Sequence, residues 1–261
     1  MSKAFYTGVS GVARKNKSAY IGVSSVARKV KSGYVGVSGV ARKFFAGETI
    51  GDLPIGSIVK VNERGSLVDF ILVHKGNPNA DFYSNLSDAV WLLRKNVYNK
   101  RSGVSWDSEG DSDTSYINMQ ADNWCQKTYY TYYLSSSVQS CIETIYLPYM
   151  VTGANGKYTW YSGTSGAKRQ VFLLSSGNYG VSSYDAGTGL DYFSSNSARI
   201  AKTDTGTDGV YYWTCMQYNT YGKFDCITPS GTVEGKWSYD YAYYRPAFIV
   251  SSSTDITLLQ K

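Results

Sequence analysis

A phrase of fourteen residues occurs three times at the start of this chain. Tyr6, Tyr20 and Tyr34 are spaced by fourteen residues, and the same spacing relates the glycines, valines and arginines of the three copies. Each copy contains glycine and several β-branched residues but no apolar stripe with a 3.6-residue period, which disfavours a helix. Aromatic or β-branched residues alternate with small or polar ones, and the alternation breaks at pairs such as Ser10-Gly11. The pattern therefore predicts short strands joined by tight turns.

This repeat segment, residues 1–47, holds too little apolar material for a core of its own, because its units offer mainly Val, Ile, Ala and Tyr for burial. A repeat this short covers its apolar face only against neighbours. Equivalent ribbons from several copies of the chain, wound about one axis, would supply that cover and protect the open strand edges. We therefore expect a homo-oligomer, with a trimer as the expected state, or attachment of the segment to a larger assembly.

Positive charge is concentrated in the repeat segment. Its residues include nine Lys or Arg and no Asp or Glu, which leaves 17 basic and 20 acidic residues in the rest of a chain whose net charge is +6. A basic segment suits nucleic acid or an anionic membrane, but charges that recur with a repeat are typical of solvated strand faces. Because these charges recur with the repeat, we do not expect nucleic-acid binding. We also do not expect membrane insertion, since no stretch approaches the roughly 20 apolar residues of a membrane span. The first thirty residues also lack the apolar core of a secretory signal, which favours synthesis in the cytoplasm without Sec export.

The remainder, residues 48–261, is predicted to form one α+β domain. It opens with alternating apolar residues on either side of a turn at residues 62–65, the pattern of a hairpin. Residues 90–98 suit either a helix or a buried strand. Further strands, bounded by Gly- and Ser-rich turns, are predicted at residues 169–174, 210–216, 223–227 and 244–250.

Two helices are predicted in the first half of this domain. Val138, Cys141, Ile142 and Ile145 follow helical spacing after a run of serines that offers a cap, and Pro148 ends the segment. The second helix, with a weaker pattern, is marked by Ile117, Ala121, Trp124 and Thr128.

Residue types that carry catalysis are sparse. His74, the only histidine, lies in the apolar run "DFILVHKG", where alternation makes it a strand residue near the edge of the core. The four cysteines show no CxxC spacing, so a zinc cluster is not expected. Cys215 and Cys226 could face each other across a hairpin, but such residues in a reducing cytosol usually stay as small buried hydrophobes. We expect no cofactor, no metal site and no enzymatic activity.

Tyrosine is the most informative residue type in the last quarter of the chain. The runs "VYYWTCMQYNTYGKFD" and "WSYDYAYYRPAF" mix Tyr with Ser, Asn and Asp, a composition favoured in antibody paratopes. The alternative is that many of these rings pack a β-rich core. Because strand residues alternate, Thr214 and Met216 lie on the face opposite Trp213, and this face is predicted to contact a ligand. Residues 217–223 are predicted to form a loop at the tip of the strand, ending at Lys223. Arg245 is predicted to clamp backbone carbonyls or a carboxylate.

Several strings resemble an uncharacterised domain family of prophages and bacteriophages of gut bacteria, over about residues 50–251. They are "GSIVKVNERGSLVDFILVHKGNPNADFYSNLSDAVWLLRKNVYNKR", "SVQSCIETIYLPY", "QVFLLSSGNYG", "YYWTCM" and "YYRPAFIV". The family usually has a Trp-Leu-Arg-Ser-Pro-like string where this chain has "WTCMQ" at residues 213–217, so no site carries over there. The repeat phrase "GYVGVSGVARK" is similar to one that precedes such domains in phage tail or virion proteins.

The Trp-containing strand, a long hairpin and the closing Arg-Pro-Ala strand also resemble the C-type-lectin-like fold of formylglycine-generating enzymes and of retroelement-diversified phage receptor-binding proteins. In those diversified relatives the variable positions cluster in the C-terminal strands and loops. That resemblance implicates Tyr218, Asn219, Tyr221, Asp225, Tyr239 and Tyr241 as ligand-binding residues.

The resulting hypothesis is a virion adhesin. The repeat segment would fasten the chain to other virion proteins and to its own copies on a tail or capsid, and the lectin-like domain would bind a bacterial surface glycan or protein. Two alternatives stay open: a structural decoration or head-fibre protein without receptor binding, and an enzyme of the formylglycine-generating type, for which Cys215 and Cys226 are the only candidate reactive residues.

Overall fold

The computed structural model describes residues 49–98, 115–152, 157–181, 189–217, 223–237 and 240–261, apart from residues 85 and 119, together with six strands within residues 6–46. Those six strands pair as three antiparallel hairpins, and each hairpin contains one copy of the repeat. The strands are β1 (Tyr6–Val9), β2 (Val12–Lys15), β3 (Ala19–Val23), β4 (Val26–Val30), β5 (Ser32–Val37) and β6 (Val40–Ala46).

The three hairpins share one register. The repeat tyrosine is the Cα partner of a lysine in each of them: Tyr6 of Lys15, Tyr20 of Lys29 and Tyr34 of Lys43. Two residues separate the paired strands in each unit, at positions 10–11, 24–25 and 38–39. The prediction of short strands with breaks at these positions is confirmed.

Five antiparallel strands form the main sheet of the remaining chain, in the order β14-β18-β9-β8-β7. A three-stranded sheet has the order β15-β16-β17, and two small ribbons pair β10 with β13 and β11 with β12. The strands are β7 (Ile58–Glu63), β8 (Ser66–Lys75), β9 (Ala89–Arg94), β10 (Ile145–Leu147), β11 (Tyr149–Thr152), β12 (Tyr158–Tyr161), β13 (Ala167–Arg169), β14 (Val171–Leu173), β15 (Tyr212–Gln217), β16 (Lys223–Ile227), β17 (Val233–Trp237) and β18 (Pro246–Ser251).

The helices are short, and the described residues form an α+β fold. A second helical region is confirmed where Ile117, Ala121 and Trp124 predict it, although most of it is a π-helix: the amide of Leu134 donates to the carbonyl of Tyr129, five residues earlier. The α-helices are α1 (Gln120–Asn123), α2 (Ser136–Gln139), α3 (Asn196–Arg199) and α4 (Ile256–Leu259); the π-helix is Trp124–Tyr133, and single 3-10 turns lie at Ile50–Asp52, Tyr116–Asn118 and Gly163–Ser165.

The helix predicted from Val138 to Ile145 is wrong in its extent. Helix α2 ends at Gln139, after Ser135 has capped it by accepting a hydrogen bond from the amide of Val138. A turn at Ser140 and Cys141 follows, and the chain is then extended: Ile142 bridges to Val250, the amide of Glu143 donates to the carbonyl of Ile249 at 2.9 Å, and Ile145 begins β10. Pairing with β18 satisfies these backbone groups, so tertiary contact overrides the local helical spacing.

A cluster of aromatic rings joins the π-helix to the main sheet. The ring of Trp124 lies 5.0 Å from those of Tyr98 and Tyr129 and 5.1 Å from that of Tyr244, measured between centroids. Tyr129 and Tyr133 stack at 5.6 Å. Rings at these distances contribute packing energy beyond their buried area. Many tyrosines of this chain therefore serve the core.

A buried ion pair ties β9 to β7 beside this cluster. Arg94 Nε donates to Glu63 Oε2 at 2.9 Å, and Arg94 Nη2 donates to Asp204 Oδ2 at 2.9 Å. Tyr129 Oη donates to the same Glu63 oxygen at 2.8 Å. Burial alone would lower the pKa of Arg94, but its hydrogen bonds to Asp204 and Glu63 raise the pKa above its ordinary value. The guanidinium therefore stays charged inside the protein.

Two glycines with the same backbone angle form a matched pair for a stability measurement. Gly231 and Gly65 both have φ of +80°, but a Cβ on Gly231 would lie 2.0 Å from the carbonyl oxygen of Asn196, whereas a Cβ on Gly65 meets nothing within 4 Å. Gly65→Ala is expected to lower the free energy of unfolding by about 1 kcal/mol, the ordinary cost of this φ. Gly231→Ala is expected to cost about 3 kcal/mol or more, because the clash adds to that penalty. Urea unfolding of both variants measures the difference, and equal losses would contradict the close approach at Gly231.

Candidate binding surface

The ends of three strands meet at one end of the three-stranded sheet. Strand β15 ends at Gln217, which pairs with Phe224 at the start of β16. Lys223, the first residue of β16, pairs with Trp237, the last residue of β17. Because neighbouring strands are antiparallel, Gln217, Lys223 and Trp237 lie together. These three residues define the sheet tip.

Aromatic and charged groups are exposed at the sheet tip. Trp237 is 41% exposed, and the Lys223 ammonium lies 4.9 Å from the centroid of its indole ring, a cation–π contact. Asp240 and Trp237 close a turn after β17 through two hydrogen bonds. The amide of Trp237 donates to Asp240 Oδ2 at 3.1 Å, and the amide of Asp240 donates to the carbonyl of Trp237 at 2.9 Å. Tyr241 follows this turn directly and is 67% exposed. The tip thus carries aromatic surface beside a cation.

Three of the residues predicted to bind a ligand are buried. The side chains of Thr214, Met216 and Asp225 are almost fully covered. Thr214 Oγ1 donates to the carbonyl of Asp225 at 3.1 Å and accepts from the amide of Met216 at 3.2 Å. Every residue of β15 is buried, so the expectation of one open strand face is wrong. Strands β11 and β14 and the 3-10 turn Tyr116–Asn118 pack against β15 and cover it.

Four other predicted residues, Tyr218, Asn219, Tyr221 and Tyr239, lie outside the described residues. The described residues next to them in sequence belong to the sheet tip. Residues 218–222 connect Gln217 to Lys223, and residues 238–239 follow Trp237. Their assignment as ligand-binding residues stays a prediction.

The sequence analysis missed Trp237 as a surface residue. A signal for it existed, because Trp237 is the first residue of the Tyr-rich run "WSYDYAYYRPAF" and ends the alternating strand "VEGKW" at residues 233–237. It also missed Lys236, whose ammonium lies 4.4 Å from the ring centroid of Tyr211 on the opposite face of β17. Alternation alone assigns Trp237 and Lys236 to opposite faces of β17, but only the structure identifies Lys223 and Tyr211 as their partners.

Arg245 anchors the chain that follows the tip, as its sequence context predicts. Its side chain is buried; Nε donates to the carbonyl of Arg94 at 3.0 Å, and Nη2 donates to the carbonyl of Lys95 at 2.9 Å. Nη1 donates to the carbonyl of Arg199 at 3.3 Å and to Tyr212 Oη at 3.1 Å. One guanidinium thus joins the end of β9, the end of α3 and the start of β15. The predicted clamp is confirmed, with carbonyls as its partners.

Cys215, Cys226 and His74 occupy buried positions. Cys215 and Cys226 are buried thiols that are not joined in a disulfide, and Cys226 has Trp213 as its Cα partner across the strands. Burial raises the pKa of the Cys226 thiol well above its ordinary value, whereas a reactive cysteine requires a lowered pKa. His74 lies on β8 as predicted, and its Nδ1 is 2.9 Å from Asp191 Oδ2. This environment disfavours the thiol chemistry of the formylglycine-generating type.

In the described ranges, no three His, Cys, Asp or Glu side chains lie close enough together to hold a metal ion. None of the helices in that part of the chain has both the length and the apolar character required to span a bilayer.

Comparison with known families gives one match. Residues 87–252, more than half of the chain, match a family described as Domain of unknown function (DUF6273). The chain belongs to the DUF6273 family. The DUF6273 region includes β9, β14, β18 and the whole three-stranded sheet with its tip, whereas β7 and β8 precede it although they belong to the main sheet. No curated protein and no solved structure matches the chain.

Proposed function

We propose that this chain is a receptor-binding adhesin of a virion, in which the sheet tip and the tyrosines adjoining it in sequence bind a glycan or protein on a bacterial surface. The observation that carries the proposal is the exposed aromatic surface of Trp237 and Tyr241 at the point where three strand ends meet. Large amphipathic rings with few rotatable bonds supply contact area at a low entropic cost, which is why they predominate in paratopes and hot spots.

The scaffold around the tip supports this role. Arg245 binds carbonyls at the ends of two other elements, so the chain leaving the tip is held by buried hydrogen bonds. Binding residues on loops positioned by a rigid scaffold are the usual arrangement in recognition proteins. The C-type-lectin-like fold suggested by the Trp-containing strand and the Arg-Pro-Ala strand is part of the same proposal.

The repeat hairpins take the second role, attachment to other virion proteins and to further copies of the chain. Their shared register gives three equivalent units with the same order of paired residues. Several adhesins held side by side would bind a surface with repeated receptors far more tightly than one copy, because later binding events become intramolecular.

Immunogold electron microscopy tests the virion role. Particles are purified from a culture that produces the virus encoding this chain and are labelled with an antibody against residues 48–261. Gold particles on the tail or the capsid surface are the expected result. Intact particles without label, from a culture whose cell lysate contains the chain, would overturn the proposal.

A further inference from the structure

Lys223 is the charged residue of the sheet tip. Lys223 and Trp237 are Cα partners on neighbouring strands, so their side chains lie on the same face of the sheet. The Lys223 ammonium lies 4.9 Å from the centroid of the indole, and no carboxylate among the described residues forms an ion pair with it. Three other lysines are paired with carboxylates: Lys60 and Lys95 with Asp69, and Lys236 with Glu234. The charge of Lys223 is therefore available to a negatively charged group of a ligand.

Four other charged residues lie near the tip in sequence. Asp225 is buried in β16. Glu234 and Lys236 lie on the face of β17 opposite Trp237 and pair with each other at 3.9 Å. Asp240 Oδ2 accepts a hydrogen bond from the amide of Trp237 at 3.1 Å. Of these groups, the carboxylate of Asp240 is the one whose charge opposes an anion at the tip, so neutralising it is expected to favour an anionic ligand.

The exposed aromatic surface beside the Lys223 ammonium is small. Within the described residues it consists of Trp237, 41% exposed, and Tyr241, 67% exposed. Two aromatic side chains bury at most roughly 500 Å², whereas each partner of a standard protein interface buries roughly 800 Å². Two rings match the size of one or two sugar rings, whose apolar C–H faces stack on an indole while a few placed polar groups fix the orientation. The described tip therefore suits a glycan better than a protein.

We propose that the sheet tip binds an anionic glycan. A sugar ring stacks on the exposed part of the Trp237 indole, and a carboxylate or phosphate group of the glycan pairs with the Lys223 ammonium. Lysine binds either group as a point charge, so the shared chemistry is a negative charge beside a sugar ring. This assignment rests on the proposed function, because it names the class of receptor that the adhesin binds.

Charge variants of the full-length chain test the ion pair. Lys223→Gln is expected to lower the affinity for host cells about tenfold, because it replaces a charge-assisted hydrogen bond with a neutral one. Lys223→Arg keeps the charge and is expected to retain most of the affinity. Asp240→Asn keeps an acceptor for the amide of Trp237 but removes the opposing charge, so a rise of about threefold is expected. Lys127→Gln, at an exposed lysine of the π-helix, is the matched control and is expected to bind like the native chain.

Chemical treatment of the host cells identifies the anionic group. Reduction of carboxyl groups to alcohols removes the charge of acidic sugars, and hydrolysis of phosphate esters removes the charge of phosphorylated ones. One of the two treatments is expected to lower the affinity of the native chain about tenfold and to abolish its advantage over Lys223→Gln. Digestion of the surface proteins with a protease is expected to leave binding unchanged.

Three results would overturn the anionic glycan while the adhesin itself stands. They are undiminished binding of Lys223→Gln, undiminished binding of the native chain after both chemical treatments, and loss of binding after protease digestion. In each of these cases the native chain still binds untreated cells. A native chain that binds neither the cells nor any sugar of a glycan array would instead overturn the adhesin and the glycan together. Circular dichroism verifies that each variant is folded.

Discussion

Arg245→Ala is expected to lower the free energy of unfolding by about 3 kcal/mol or more. The guanidinium donates to the carbonyls of Arg94, Lys95 and Arg199 and to Tyr212 Oη, and it is 1% exposed. Removing it leaves several buried acceptors without a donor and a cavity in their midst.

Urea unfolding with two companion variants measures this effect. Arg245→Lys keeps the charge but presents a single ammonium where the native side chain donates from three nitrogens, so we expect a smaller but clear loss. Lys60→Ala removes a half-exposed lysine paired with Asp69 and is expected to change stability by less than about 1 kcal/mol. A loss at Arg245→Ala as small as that at Lys60→Ala would contradict the clamp.

The sequence predicts those features that depend on local pattern. The fourteen-residue period and the breaks at residues 10–11, 24–25 and 38–39 specify the three hairpins, because a two-residue break between alternating runs leaves little choice of register. Arg245 is predictable as a clamp because a lone arginine at the start of an apolar strand needs several acceptors to be buried.

Long-range contact accounts for the features that the sequence does not predict. The helical spacing from Val138 to Ile145 is real, but β18 offers the segment after Gln139 an alternative set of backbone hydrogen bonds. Alternation along β15 correctly separates two faces, yet it cannot reveal that β11 and β14 cover the strand and bury Thr214 and Met216. Burial on both faces depends on elements 39 or more residues away in sequence.

Substitution of the tyrosines that adjoin the sheet tip in sequence is expected to remove receptor binding. The variant changes Tyr218, Tyr221, Tyr239 and Tyr241 to alanine together and keeps Trp237, whose ring packs against the Lys223 ammonium. A hot-spot tyrosine contributes about 2 kcal/mol or more, a loss of about thirtyfold in affinity for each such residue. Tyr132→Ala is the matched control, because Tyr132 is 71% exposed but lies on the π-helix, remote in sequence from the tip.

Binding of the purified full-length chain to host cells, measured beside a glycan array, tests the central claim most directly. The account predicts that the native chain and Tyr132→Ala are retained equally on the cells, while the fourfold tyrosine variant, folded by circular dichroism, loses at least thirtyfold in affinity. Equal retention of the fourfold variant and the native chain would contradict the claim that this surface binds the receptor. Failure of the native chain to bind either the cells or the array would contradict the adhesin itself.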